Sequence, residues 1–528
     1  MRPPLWRPSI PLSRKEQTVV SKVRRAKLFV FLRTIRHELF DDAFQEELAT
    51  IFKDSSKGQP PIPPAQLALA TILQAYTGVS DDEVIEALVM DRRWQLVLDC
   101  LDCEQAPFGK GTLVRFRQAL IARQLDRRLI ERAVELAEQQ GGFGPRQLRV
   151  ALDSSPLWGA GRVEDTYNLL GHALRKDTRE RVPGVIARQQ GRELTVVAQE
   201  AGADLLAGSS LKAALDLDWD DPGEREEALA RVLGTLEAME HFLAQGPDGG
   251  EQPKVAESLE VARQVCKQDV EELPDNVVRL RQGVAKERRI SVEDADMRHG
   301  RKSRSQRVDG YKRHIVRDLD SRVVRAVGLT AANVPEAAVT DALEEDLAAQ
   351  QAQLGELYID RAYLSSRLVR ERSDHLAIHC KAWPVRNGDR YTKTAFTLDF
   401  DQGTIRCPNQ VSISFQVGTT VRFPEDQCAI CPLRLQCTTS AHGRSISIHP
   451  DERLLVELRE RQQTKTGRAK LRERTAAEHA LAHVGHWQGD RARYRGQRKN
   501  LFDLRRVAVV ENLHVLARLR EQSQRRAA

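Results

Sequence analysis

The segment Gln147-Leu148-Arg149-Val150-Ala151-Leu152-Asp153 carries an apolar side chain at every second position, a period that suits an extended strand with one buried face. Leu148, Val150 and Leu152 take that face, which leaves Asp153 at the strand end on the opposite one. A second run, Leu357-Tyr358-Ile359-Asp360, also closes on an aspartate, just before Arg361-Ala362-Tyr363-Leu364-Ser365 turns the chain into a helix. Glu478 differs in kind. It lies in the run of helix formers from Arg472 to His483, on one face with Thr475, Leu481 and Ala482. Taken singly, these residues have ordinary readings: an Asp after a strand forms a turn or caps a helix, and a Glu on a basic helix is a solvated ion-pair partner. Together they point to a two-metal site.

The surrounding words carry more. They are Ala151-Leu152-Asp153-Ser154-Ser155-Pro156 with Val163-Glu164-Asp165-Thr166 after it, Asp309-Gly310-Tyr311-Lys312-Arg313-His314, Ala332-Asn333-Val334-Pro335-Glu336, Tyr358-Ile359-Asp360-Arg361-Ala362-Tyr363, Ala477-Glu478-His479, Arg493-Tyr494-Arg495-Gly496 and Asn512-Leu513. In these words, which run in order over nearly the whole chain, the sequence resembles the insertion-sequence transposases of the DDE type, specifically the IS1182-like group. The resemblance implies an α/β RNase H-like core, a mixed sheet flanked by helices, with the first Asp on strand one, the second on strand four and the Glu on a later helix. The local pattern agrees. Residues 307–317 and 321–330 read as a hairpin around Asp318-Leu319-Asp320-Ser321, 335–354 as a helix, and Leu376-Ala377-Ile378-His379-Cys380 as a fifth strand.

Mg²⁺, or Mn²⁺ in its place, is a hard cation that takes oxygen ligands, and two such ions about 3.5–4 Å apart assist in-line displacement at phosphorus. The resemblance assigns Asp153 to bridge both ions, with Asp360 and Glu478 holding one side each. Phosphoryl transfer asks for positioning and charge neutralisation, so no Ser or Cys nucleophile is required. Other members of the broader superfamily place a Tyr, an Arg and a Lys at set offsets around the Glu. Here Arg474 holds the Arg offset, as a phosphate clamp, while Leu471 and Gly485 stand at the Tyr and Lys offsets. A hairpin-forming mechanism is therefore not carried over. Lys312 is a candidate contact to the DNA backbone, with a solvated strand residue as its alternative.

A chain of 528 residues has room for three to four domains, and no apolar run approaches the ~20 residues that span a bilayer. The start, Met1-Arg2-Pro3-Pro4-Leu5-Trp6, lacks the apolar stretch of a secretory signal, so a cytoplasmic protein, nucleoid-associated when bound to DNA, is expected. The net charge of +7 is unevenly spread: from Arg461 to Ala528 there are 17 Lys or Arg against 6 Asp or Glu, a local +11. Arg491, Arg493 and Arg495 belong to this run. A second cluster holds Arg298, Arg301, Lys302, Arg304, Arg307, Lys312 and Arg313. Both read as a phosphate-binding track, or else as solvated faces.

Cys407, Cys428, Cys431 and Cys437 are spaced C-x20-C-x2-C-x5-C. Four thiolates make a closed, structural Zn²⁺ site, and outside an oxidising compartment this reading outranks disulfides; unligated thiols are the alternative. Cys100 and Cys103 have no second pair nearby and read as a chance spacing. Helices are expected over 66–76, 80–90, 94–101 and 112–122. The expected organisation is a helical N-terminal DNA-binding domain (1–145), the catalytic core (146–160 and 291–384), a helical insertion (161–290), a β-rich zinc-binding insertion (385–450) and C-terminal basic helices carrying the Glu (451–528). Arg115, Arg117 and Arg123 are the N-terminal candidates for phosphate contact, and a packing or dimerising module is that region's alternative role. The acidic stretch around Asp216-Leu217-Asp218-Trp219-Asp220-Asp221 favours subunit contact or scaffolding over DNA, with Trp219 an interface or core residue rather than a stacker of flipped bases. The function expected is DNA transposition on double-stranded DNA, terminal inverted repeats and target alike, by a homodimer in the DNA complex. An RNase H-like nuclease and a catalytically silent DNA-binding derivative are the alternatives.

Overall fold

The computed structural model describes residues 2–53, 59–143, 146–176, 191–200, 205, 211–244, 253–274, 277–302 and 305–527. The N-terminal region is helical: α1 (Arg14–Lys22), α2 (Lys27–Leu39), α3 (Asp42–Ala49), α4 (Pro64–Thr77), α5 (Asp81–Met90), α6 (Arg92–Leu98), α7 (Lys110–Ala122) and α8 (Asp126–Gly141). The boundaries follow local chemistry. Ser13 and Ser80 make capping boxes with Glu16 and Glu83, Pro64 opens α4, and Gly78 closes it with a left-handed φ of 72°. α4 is buried on nearly every side, as an apolar helix inside a core must be.

The sheet is built from β1 (Gln147–Trp158), β2 (Arg298–Arg301), β3 (Arg307–Asp318), β4 (Val324–Ala331), β5 (Gln353–Tyr358) and β6 (Ala377–His379). β1 is central, antiparallel to β3 and parallel to β5, which is parallel to β6. β4 and β2 pair with successive parts of the far edge of β3. The hairpin and fifth strand are where the sequence places them. Two expectations need correction. Asp153 is not at a strand end, because β1 runs on to Trp158 through pairing with β3. Nor is 335–354 one helix: a 3-10 turn at Glu336–Val339 leads into α9 (Thr340–Ala349), and Leu354 already belongs to β5.

Leu148, Val150 and Leu152 face a core shared with α9 and with α10 (Glu452–Gln463). The opposite face carries α11 (Lys465–Glu473), α12 (Thr475–Gln488) and the long α13 (Gln497–Ala527). That core continues without a break into α2, α4 and α8. Buried ion pairs cross the same boundary: fully buried Asp126 accepts from Arg498 at 2.5 Å and from Arg505 at 3.1 Å.

Between β1 and β2 lie helices Thr166–Lys176, Leu194–Glu200, Leu211–Leu215, Pro222–Ala244 and Pro253–Asp269, with a small core of their own. Trp219 packs edge-on against Tyr167 beneath the Lys212 ammonium, as an interface or core residue would. Between β6 and α10 are short strands, Thr397–Asp399, Thr404–Arg406, Ser412–Ser414, Thr420–Arg422 and Ser445–Ser447, around Phe396, Ile405, Phe423 and Ile446. Among the described residues no helix is long and apolar enough to cross a membrane.

Candidate active site

Strand register brings the two aspartates together. The parallel pairing of β1 with β5 runs from Gln147 opposite Gln353 to Ala151 opposite Tyr358. Two residues further along each strand come Asp153 and Asp360, on the same side of the sheet by the two-residue period. β5 has ended at Tyr358, and Asp360 caps a 3-10 turn by accepting from the Ala362 N–H at 2.8 Å. Asp153 stays in the strand, where its Oδ1 accepts from the Ser154 N–H at 2.8 Å.

The third carboxylate arrives from above. Ala477 is fully buried against Ala151 and Tyr358, and so small a side chain lets α12 lie close to the sheet. Arg317 pins the same turn by donating to the Ala476 carbonyl at 2.6 Å. Glu478, the next residue, stays half exposed. The run from 472 to 483 is two helices that meet at Arg474, whose guanidinium donates to Asp153 Oδ2 at 2.6 Å and to Glu478 Oε1 at 2.7 Å. Burial pushes the Asp153 carboxyl up, Arg474 and the Ser154 N–H draw it back, and the nearby charges of Asp360 and Glu478 push it up again.

A fourth carboxylate joins them, one to which sequence reasoning gave a place in a motif but no role. Glu336 is raised by burial and then by Asp360 and Asp153, while Lys312, 4.0 Å away, and the Ser154 hydroxyl lower it. Lys312 also donates to the Val334 carbonyl at 2.9 Å, so it stands at the site facing Glu336. Behind them the Tyr363 hydroxyl meets His314 Nδ1 at 2.8 Å, and His314 Nε2 meets Thr330 at 3.0 Å. Burial pushes His314 down to about 3, with Lys312 adding to it, so the ring is neutral near pH 7.

A salt-bridge network seats the helix junction. Lys470 binds Glu356 at 2.8 Å and the Tyr358 hydroxyl at 3.1 Å, while Arg149 reaches Tyr358, Asp320 and Glu473. Glu473 is thus an anchor of α11 on the sheet, not the solvent-facing neighbour that one continuous helix would make it.

The basic candidates divide. Arg115 and Arg123 are exposed on or just after α7. Arg117 is buried, held by Asp81 at 2.5 and 2.6 Å and by Gln74 at 2.9 Å, so it is a packing residue and not a phosphate contact. Arg491 donates to the Gly159 and Ala160 carbonyls, Arg493 to the Gly78 and Val79 carbonyls, and Arg495 pairs with Glu293 at 2.8 Å. The track loses further members inward: Arg505 and Arg506 are buried on α13 and Arg313 on β3, where Arg313 bonds Ser155, Gln488 and the Gly489 carbonyl. Arg304 lies outside the described residues.

Cys407, Cys428, Cys431 and Cys437 line one cavity of about 30 Å³, and burial followed by the neighbouring Arg444 and the other three cysteines sets the Cys437 thiol, raised on balance. Cys100 is buried and Cys103 exposed. Among the described residues no group of three or more His, Cys, Asp or Glu is spaced to hold a metal ion. The Arg474 guanidinium stands between Asp153 and Glu478, supplying the positive charge that a hard cation would bring to the same oxygens. Carboxylate oxygens are the donors such a cation takes.

Residues 21–119 match a transposase domain (DUF772), residues 275–406 a transposase DDE domain, and residues 406–517 another transposase DDE domain, together about two thirds of the chain. No curated protein and no solved structure matches it. Asp360 falls in the second matched segment and Glu478 in the third, while Asp153 lies in none. An RNase H-like α/β core and these matches define a metal-dependent enzyme that cuts DNA and transfers its strands. The chain belongs to the DDE transposases, of the IS4/IS1182 kind.

Proposed function

We propose that this transposase binds the terminal inverted repeats of an insertion sequence, frees a 3′-hydroxyl by hydrolysis and directs it at target DNA, with Asp153, Asp360 and Glu478 as the catalytic carboxylates. The observation that carries the reading is the register that sets Asp153 beside Asp360 under α12. Two Mg²⁺ or Mn²⁺ ions held there would activate the attacking oxygen and stabilise the leaving one. Arg474, released from one carboxylate, is placed to hold a DNA phosphate by its fork of donors, and Lys312 supplies a second cation beside Glu336. Tyr363, neutral His314 and Thr330 hold the floor behind Ser154. Asp153→Asn keeps the shape and removes the charge, so cleavage of DNA carrying the ends should be lost while gel-shift binding of the same DNA persists. A mutant that still cuts removes Asp153 from the site.

The finer organisation belongs to the same proposal. Residues 1–145 serve DNA binding, with Arg115 and Arg123 exposed for phosphates. Residues 161–290 and 385–450 are insertions into a core formed by 146–160 and 291–384, followed by the C-terminal helices of 451–528. The enzyme works as a dimer on DNA, associated with the nucleoid. Cys407, Cys428, Cys431 and Cys437 hold one structural Zn²⁺, a reading supported by their convergence on a single cavity. Elemental analysis should find about one equivalent of zinc in wild type and none in Cys428→Ser, with loss of local folding. Zinc-free, stably folded wild type would sink that part.

A further inference from the structure

From Glu478 the exposed face of α12 continues through His479, Ala482, His483 and His486. At 1.5 Å per residue, His486 lies about 12 Å beyond the catalytic carboxylate. There the face opens into a groove of about 880 Å³ between α12, α13 and the turn joining α1 to α2. Its wall is aromatic: the Trp487 ring lies parallel to His514 with centroids 5.6 Å apart, and Tyr76 meets both rings at 5.1 and 5.8 Å. His514 Nε2 is buried and, among the described residues, has no hydrogen-bond partner.

The rim is cationic. Lys22, Arg24, Arg25 and Lys27 are all exposed within one short turn, and Arg25 and Lys27 line the groove. Arg518 faces them from α13, exposed, with one donor on the His514 carbonyl. Arg520, which also lines the groove, is by contrast ion-paired to Glu38. Of the two acids lining the groove, Glu511 is buried against His483 and Glu521 is exposed.

We propose that this groove binds unpaired nucleotides at the cleaved DNA end, with bases stacked on the Trp487, His514 and Tyr76 wall and phosphates along the Lys22–Lys27 turn and Arg518. Stacking surfaces beside a cationic track are what single strands require, since every base has a π-face and every linkage a charge. The volume is that of a small-molecule pocket, which admits a nucleotide or two and excludes a duplex. The distance from Glu478 corresponds to about three to four stacked steps of ~3.4 Å. The proposal rests on the transposase function and adds a binding site to it.

The test uses the full-length protein and one short duplex, either blunt or with a tail of about four unpaired nucleotides to match that reach. 5-Iododeoxyuridine is placed at each tail position in turn. The tailed duplex should bind about tenfold more tightly, and irradiation should join the tail to peptides holding Trp487, His514 or Tyr76. Replacing Lys22, Arg24, Arg25 and Lys27 by Ala should abolish the preference for a tail and make the log–log salt slope shallower by about 3. Trp487→Phe should keep the preference and Trp487→Leu should lose it. Equal binding of blunt and tailed DNA, or crosslinks outside the groove, overturns the proposal. So does a quadruple variant that keeps the tail preference but sediments as a smaller species, which makes the groove a contact between copies. A wild type that cuts its element ends yet ignores the tail loses only this site; one that cuts no DNA in Mg²⁺ or Mn²⁺ loses the transposase function itself.

Discussion

At the scale of the residue, the site is a problem of charge. Asp153, Asp360, Glu478 and Glu336 converge where β1 and β5 part, and Arg474 and Lys312 are the cations that face them. Glu336 is the informative member, because it is too close to Asp360 and Asp153 to be an ordinary surface acid. Glu336→Gln should therefore weaken Mn²⁺ binding, read by the electron paramagnetic resonance of free Mn²⁺ without any DNA present, by about tenfold. The exposed Asp341→Asn on α9 should leave it unchanged. Equal affinities in the two variants would make Glu336 a partner of Lys312 and nothing more. Arg474 links two of these carboxylates, one guanidinium satisfying both with directed hydrogen bonds.

At the scale of the element, the arginines show how composition misleads. Arg117 sits in a helix that reads as basic, yet its side chain turns inward, where Asp81 at the N-terminus of α5 and Gln74 on α4 receive it. The hydrogen bonds from Arg117 hold the Asp81 carboxyl down at about 2, against an ordinary value of 3.8. A carboxylate depressed in this way contributes stability that is fully present above 3.8 and is lost as the pH falls through about 2. The stability gap between wild type and Asp81→Asn, measured by urea unfolding, should be constant near neutrality and shrink across that window. A gap independent of pH would mean that Asp81 acts through packing alone. Gly310 is a second case of an element dictating a residue. Its φ is 151°, and a Cβ there would lie 2.3 Å from the Gly159 nitrogen, so the Asp309-Gly310-Tyr311 word records a close crossing of chains rather than chemistry.

At the scale of the molecule, the N-terminal helices and the C-terminal helix are one body. α4 and α8 share a core with α12 and α13, and Asp126 on α8 is ion-paired to two arginines of α13. Removing α13 would bare that apolar surface and leave Asp126 buried with no partner. A fragment ending at residue 143 is thus expected to be unfolded or aggregated by circular dichroism and sedimentation. A monomeric, cooperatively folding fragment would show that the N-terminal region is a domain in its own right. If residues 1–145 hold DNA as proposed, the shared core and the Asp126 ion pairs join them to the helices that pack beside Glu478.

What the sequence alone determined is local. Period-two alternation identifies β1 and its buried face, apolar periodicity and turn signals mark the helices between 66 and 122, and the words around Asp153, Asp360 and Glu478 are written in neighbouring residues. Tertiary structure decided the rest. That β1 continues past Asp153 depends on β3, more than 150 residues away, and the break between α11 and α12 coincides with Arg474 binding across to a strand. Glu336 joins the site because a turn after β4 returns it there, which no local pattern encodes. Which arginines meet DNA and which bind carboxylates is equally unwritten in composition, because a guanidinium is the same group in both settings and only the fold supplies its partner.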